Sequence, residues 1–75
     1  MKRVVKINNE KYIKVAKVVD NISYRLLANK KRITEPELFK LLTKINTHIK
    51  YYAENNELYI IIPFDKYLEF LYYIS

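Results

Sequence analysis

Apolar and polar positions alternate along this chain in two competing periods. Residues 3–7 (Arg3-Val4-Val5-Lys6-Ile7) are β-branched and alternate weakly, which predicts a short strand. Asn8-Asn9 breaks it, asparagine being the residue with a side chain that best tolerates the left-handed region. Over 10–31, Tyr12, Val15, Ala16, Val19, Ile22, Leu26 and Leu27 fall at helical spacing. Lys11-Tyr12-Ile13-Lys14-Val15 in the same span also fits a strand closing a hairpin on 3–7. Length favours a helix from about 10 to 31, because strands beyond about ten residues are rare, with Asp20 placed to cap a fresh start after an interruption at Asp20-Asn21.

The next signal is local. Thr34-Glu35-Pro36-Glu37 reads as a capping box: Thr34 and Glu37 satisfy each other's backbone N–H groups, and Pro36 sits in the first turn, where its missing N–H costs nothing. Leu38, Leu41, Leu42 and Ile45 make the buried stripe of a helix over about 35–43. Residues 46–56 read two ways. A helix puts Ile45, Ile49 and Tyr52 on one face. A strand over 48–53 would pair with 57–62 across Glu54-Asn55-Asn56-Glu57. Glu57–Ile62 is the strongest strand of the sequence. Pro63 ends it, and Asp65 can cap a last helix over 66–74, with Tyr67, Leu68, Leu71 and Tyr72 or Ile74 facing inward. Asn8-Asn9-Glu10-Lys11-Tyr12-Ile13 is echoed by Asn55-Asn56-Glu57-Leu58-Tyr59-Ile60, as a duplicated ββα unit would be.

Composition narrows the chemistry. Seventy-five residues make one domain, 1–75, with a small core. Without Cys there is no disulfide and no thiolate zinc site, and one histidine, His48, makes no two-histidine metal site. Without Gly there is no phosphate-cradling loop of the P-loop or dinucleotide type. No metal, no cofactor and no catalysis are expected. Ser23, His48 and Asp20 or Asp65 have no triad spacing, and metal-free RNA cleavage around His48, as in small basic ribonuclease toxins, is the weakest reading. The N-terminus lacks the apolar run of a signal peptide, and no apolar stretch reaches the roughly 18 residues that span a bilayer. The expectation is an intracellular protein with no membrane partner.

Charge adds a positive argument. Fourteen Lys/Arg against eight Asp/Glu give +6. Residues 1–50 carry all of these cations except Lys66, while Glu54, Glu57, Asp65 and Glu69 make residues 51–75 acidic. Such a gradient predicts one cationic face for a polyanion, the acidic part turned elsewhere. Lys30-Lys31-Arg32, with Arg25 shortly before, reads as a phosphate clamp or as charge placed on a helix C-terminus. Leu38–Leu42, a break at Thr43-Lys44, then Ile45–Tyr52 has the layout of a helix-turn-helix. Asn46, Thr47, Lys50 and Tyr51 would be exposed on its second helix, and Lys40 and Lys44 would flank the groove.

Ile33–Leu42 with Ile49, and then Tyr59-Ile60-Ile61-Ile62-Pro63 followed by a helix carrying Leu68 and Phe70-Leu71, resemble excisionase-type winged-helix DNA-binding domains over residues 33–71. The resemblance implies a DNA-binding module whose second helix, about 46–54, reads the groove, and it tips 46–56 toward helix. Phe39 stands where those domains have a small residue, Thr43 stands where they have a turn glycine, and their basic wing is nearly absent. Tyr12–Val19 with Ile22–Leu27 offers a competing helix-turn-helix register.

The expected fold is therefore α+β and winged-helix-like, with three to four helices and a two-stranded sheet from strands near 3–7 and 57–62. The expected function is a small DNA-binding protein, a transcriptional regulator or recombination accessory factor, with double-stranded DNA as partner; the sequence does not separate DNA from RNA. Its nucleic-acid-binding residues would be Arg25, Lys30, Lys31, Arg32, Lys40, Lys44, Asn46, Thr47, Lys50 and Tyr51. Tyrosines cluster in the acidic third, away from the cations, and a chain this short cannot bury every face of Phe70-Leu71-Tyr72-Tyr73-Ile74. A homodimer interface through Phe70, Tyr72, Tyr73 and Ile74 is expected. The alternative function is a protein-interaction module or inhibitor, for example a small viral protein, acting through that aromatic face.

Overall fold

The computed structural model describes residues 2–75. Strands β1 (Val4–Ile7), β2 (Glu10–Val18), β3 (Ser23–Leu26) and β4 (Arg32–Thr34) precede helix α1 (Glu35–Lys44). Strands β5 (Tyr51–Glu54) and β6 (Glu57–Pro63), a 3₁₀ turn at Phe64–Lys66 and helix α2 (Tyr67–Ile74) complete the chain. All strand pairs are antiparallel, in the order β4-β3-β2-β6-β5. β6 takes one edge of β2 from Tyr12 to Lys17, so β1 and β3 share the other edge end to end, β1 against Glu10–Ile13 and β3 against Ala16–Val18. Two helices and a six-stranded sheet replace the expected three to four helices and two strands. The winged-helix architecture is not present.

Three local causes explain the difference. The first is a β-bulge. The register of β2 on β6 shifts between Lys14 and Ala16, so Val15 is an extra residue. A bulge breaks the period of two. Ile13, Val15 and Ala16 then all reach the helical side, and a strand acquires the spacing of a helix. The second is Asp20, which caps no helix. Its Oδ1 accepts from the Ile22 N–H at 2.9 Å and from the Ser23 hydroxyl at 2.9 Å, an Asx turn that closes β2 onto β3. These hydrogen bonds, that to Ile22 first, hold its carboxyl below the usual aspartate range.

The third is Asn46. It sits just past α1 at φ 55°. The Asn46 N–H donates to the Thr43 carbonyl at 3.0 Å and the Thr47 N–H to the Leu42 carbonyl at 3.0 Å. That pair of bonds is a Schellman motif, with asparagine in the left-handed position usually given to glycine. The residue expected to open a recognition helix is the one that stops the helix before it. Residues 51–54 are the hairpin strand instead.

The two Asn-Asn pairs do the same job twice. Asn8 and Asn9 have φ 52° and 67°, and Asn55 and Asn56 have φ 52° and 65°. Positive φ at both central residues is the signature of a two-residue type I′ hairpin. The echo in the sequence thus marks two like hairpins whose second strands, β2 and β6, pair at the centre of the sheet. It does not mark a duplicated ββα unit, because the β3–β4 hairpin intervenes before α1.

Both helices cover one face of the sheet. Leu38, Leu42, Ile45 and Phe70 pack on Ile13, Val15, Ala16, Leu26, Ile60 and Ile62. The capping box forms as expected: the Glu37 Oε1 accepts from the Thr34 N–H at 2.8 Å and from its hydroxyl at 2.9 Å. The opposite face carries no helix and is closed by its own side chains. Lys14 is fully buried there, ion-paired to Glu54, its Nζ 4.6 Å from the Tyr59 ring centroid and 5.6 Å from that of Tyr52. Among the described residues no helix is long and apolar enough to cross a membrane.

Candidate nucleic-acid interface

Sheet register gathers cations that lie far apart in sequence. Lys17 on β2 is the cross-strand partner of Arg25 on β3, and Arg25 is the partner of Arg32 on β4. Directly paired residues share a face, with Cα atoms about 5 Å apart. Three positive side chains therefore stand in one row on the face without helices. The row continues on the far side of Lys17 to Tyr59 and then Tyr52. Like charges directly opposite are destabilising in a sheet.

Carboxylates relieve only the two ends of that row. The Lys17 Nζ bonds the Glu57 Oε1 at 2.8 Å, while the Tyr59 hydroxyl donates to the Glu57 Oε2 at 2.7 Å. Lys17 first and Tyr59 second hold the Glu57 carboxyl below its ordinary range. At the other end the Arg32 Nη2 reaches the Asp20 Oδ2 at 3.4 Å. Arg25, in the middle, has no carboxylate partner among the described residues; its Nη1 donates to the Lys30 carbonyl at 3.2 Å.

The β3–β4 loop carries the row around the edge of the molecule. Asn29 pins it, its Oδ1 accepting from the Lys31 N–H at 3.0 Å and its Nδ2 donating to the Ile74 carbonyl at 3.4 Å. Lys30 sits in the left-handed region at φ 63°, the one such residue among those described that is not asparagine. Beyond the loop, Lys31, Lys40 and Lys44 rim a cleft of about 350 Å³ between the hairpin, α1 and α2. The result is a tract of Lys17, Arg25 and Arg32 on the sheet, Lys30 and Lys31 at the tip, and Lys40 and Lys44 on α1.

Six of the ten residues expected to bind nucleic acid lie in that tract: Arg25, Lys30, Lys31, Arg32, Lys40 and Lys44. The other four do not. Asn46 and Thr47 terminate α1. Lys50 precedes β5 and lies over the Tyr12 ring at 5.5 Å. Tyr51 points to the helical side of the sheet, its hydroxyl 3.3 Å from that of Tyr24, which also donates to Glu35 at 3.2 Å. Burial first, then Tyr51 and Glu35, drive the Tyr24 phenol well above its ordinary range. Lys17 belongs to the tract and was not singled out from sequence; the signal was the turn at Asp20, which fixes its pairing with Arg25.

The cations of residues 1–50 do not all converge on one face, contrary to what the charge gradient predicts. Lys14 is buried, Lys11 lies over the Phe64 ring at 4.8 Å, and the Arg3 guanidinium donates to the Leu27 carbonyl at 3.0 Å. The acidic third is not turned away either, since Glu54 and Glu57 pair with Lys14 and Lys17.

The expected dimer surface changes as well. Phe70 is fully buried and Ile74 packs against the core, so neither belongs to a docking face. Tyr72 is 74% exposed, and Leu68, expected inside, is 81% exposed. Tyr73 lies partly under the Lys44 ammonium, 5.5 Å from its ring centroid. Among the described residues no three His, Asp or Glu side chains gather as metal ligands would. Comparison with family models, with characterised proteins and with solved structures finds no match to this chain.

Proposed function

We propose that this protein binds nucleic acid, double-stranded DNA foremost, through the basic β3–β4 edge hairpin and the tract that continues from it. One observation carries the reading: Arg25, Lys30, Lys31 and Arg32 lie on one hairpin, with Lys17 in register beside them and, among the described residues, Asp20 the sole carboxylate bonded to the hairpin's cations. A cationic row that costs stability in the free protein gains from a polyanion. The helix-turn-helix mode has no place in this fold. A two-stranded ribbon enters the major groove, about 12 Å wide, whereas five strands side by side span about 19 Å. The β3–β4 hairpin lies at the sheet edge with β3 still paired to β2 over Tyr24–Leu26, so its tip and the edge strand β4 are the parts that approach a groove. Such contacts serve a small regulator or a recombination accessory factor equally.

The test is a salt titration. If five side chains meet phosphates, the logarithm of the duplex affinity falls with a slope of roughly −4.5 against log salt, a loss of about 500-fold between 50 and 200 mM. Lys31→Glu with Arg25→Ala lowers both affinity and slope, whereas Lys6→Ala and Lys66→Ala, outside the tract, change neither. Salt-independent binding, or equal losses from both pairs of variants, contradicts the reading.

A second reading has its own observation. Leu68 and Tyr72 are four residues apart on the outer side of α2 and both largely exposed, with Phe64 one turn before them. Soluble monomers rarely leave such a stripe uncovered, and a second copy of the chain packing α2 against α2 is the simplest cover. Sedimentation of Leu68→Glu beside the parent chain tests it: a dimer becomes a monomer, and a parent that is already monomeric overturns it.

A further inference from the structure

We infer that the cleft between α1, α2 and the β3–β4 hairpin receives an unpaired nucleobase, held by the phosphates beside it on Lys31, Lys40 and Lys44. This inference rests on the nucleic-acid reading above and narrows it to one substrate class: nucleic acid with a base out of the stack. The floor of the cleft is apolar, made by Leu26, Ile33, Leu41 and Ile74. Three ammonium groups stand on the rim. None has a carboxylate partner, because the ion pairs among the described residues are Lys14–Glu54, Lys17–Glu57 and Arg32–Asp20. The single carboxylate lining the cleft, Glu37, has its Oε1 engaged by Thr34.

An apolar floor under a cationic rim suits a ligand with a flat apolar body and anionic groups next to it. A nucleotide has that form. At about 350 Å³ the cleft lies near the small end of ligand sites, which begin at roughly 300 Å³. That is room enough for a base. Position matters too. Lys31 belongs both to the hairpin tip and to the cleft, so a backbone running along the hairpin passes the cleft mouth. Extruding a base from a duplex costs a few kcal/mol, least when the base has no partner. The cleft therefore favours bulged or single-stranded positions over perfect duplex.

The experiment compares three linear, blunt-ended duplexes of one sequence at a single salt concentration: fully paired, with one unpaired adenine bulged from one strand, and with an abasic residue in place of that adenine. The unpaired adenine binds roughly tenfold more tightly than the paired form, the scale of covering one face of a base with aliphatic side chains, and the abasic residue loses that gain. Leu41→Gln removes the preference and leaves affinity for paired DNA unchanged. The abasic arm needs no protein variant, so it stands whether or not Leu41→Gln folds. Equal binding of all three DNAs overturns the cleft assignment while the nucleic-acid reading survives. Binding of none overturns both.

Discussion

Lys30 offers the sharpest single perturbation. Its φ of 63° places a lysine where the chain elsewhere uses asparagine. Holding a residue with a Cβ in the left-handed region costs roughly 1–2 kcal/mol, and glycine escapes that cost but loses about 0.5–1 kcal/mol more conformational freedom on folding. The Lys30 N–H bonds the Leu26 carbonyl at 2.9 Å, and this bond survives any substitution except proline. Lys30→Gly is therefore expected to stabilise the protein by about 0.5–1 kcal/mol. In a domain of this size that raises Tm by roughly 2–8 °C. The same change deletes one tip cation, so the salt slope of duplex binding falls by about 0.9. Thermal unfolding by circular dichroism at matched salt, beside a DNA titration at three salt concentrations, reads both effects. Stability and binding should move in opposite directions, as they do where backbone strain is kept for a functional side chain. A Lys30→Gly protein that melts lower than the parent refutes the account of the loop, and one that binds DNA with an unchanged slope removes Lys30 from the interface.

Three other outcomes are expected. Asn46→Ala forces a Cβ without a compensating amide into the left-handed position after α1 and costs about 1–2 kcal/mol in urea unfolding, while the salt slope of DNA binding stays unchanged; a lost slope would restore a role for this turn in recognition. Lys14→Ala leaves a cavity beneath Tyr52 and Tyr59 and strips Glu54 of its partner, costing roughly 3 kcal/mol, whereas Lys14→Met, which keeps the volume and leaves only the partly exposed Glu54 to rehydrate, costs less than half as much. Tyr24 has a folded pKa raised above the unfolded value near 10, so its contribution is complete below pH 10 and is lost as pH climbs through the folded pKa. The urea midpoint should fall above pH 10 in the parent, and Tyr24→Phe should flatten that fall; identical alkaline limbs would count against the buried phenol.

Part of this architecture is written locally. Thr34 and Glu37 form the expected capping box because its two partners are three residues apart and need nothing else. Glu57–Ile62 is a strand and the region after Asp65 a helix because β-branched and helical spacing there have no rival. In a chain without glycine asparagine is the residue best suited to positive φ, and Asn8, Asn9, Asn46, Asn55 and Asn56 all take it, with Lys30 the exception among the described residues. Six tract cations were likewise visible as residues, since clustered Lys and Arg need no fold to be noticed.

The tertiary structure alone decided which surface those cations occupy. The Val15 bulge rotates the apolar set of β2 and disguises a strand as a helix, and no local propensity marks it. Residues 46–56 were balanced locally, and pairing with β6 settled them, because a strand gains its hydrogen bonds from a neighbour and a helix from itself. The Lys17–Arg25–Arg32 row exists only once three strands are in register, at separations in sequence that carry no period. Sequence thus determined the charge available and the turns that reverse the chain, while long-range pairing determined where that charge is displayed.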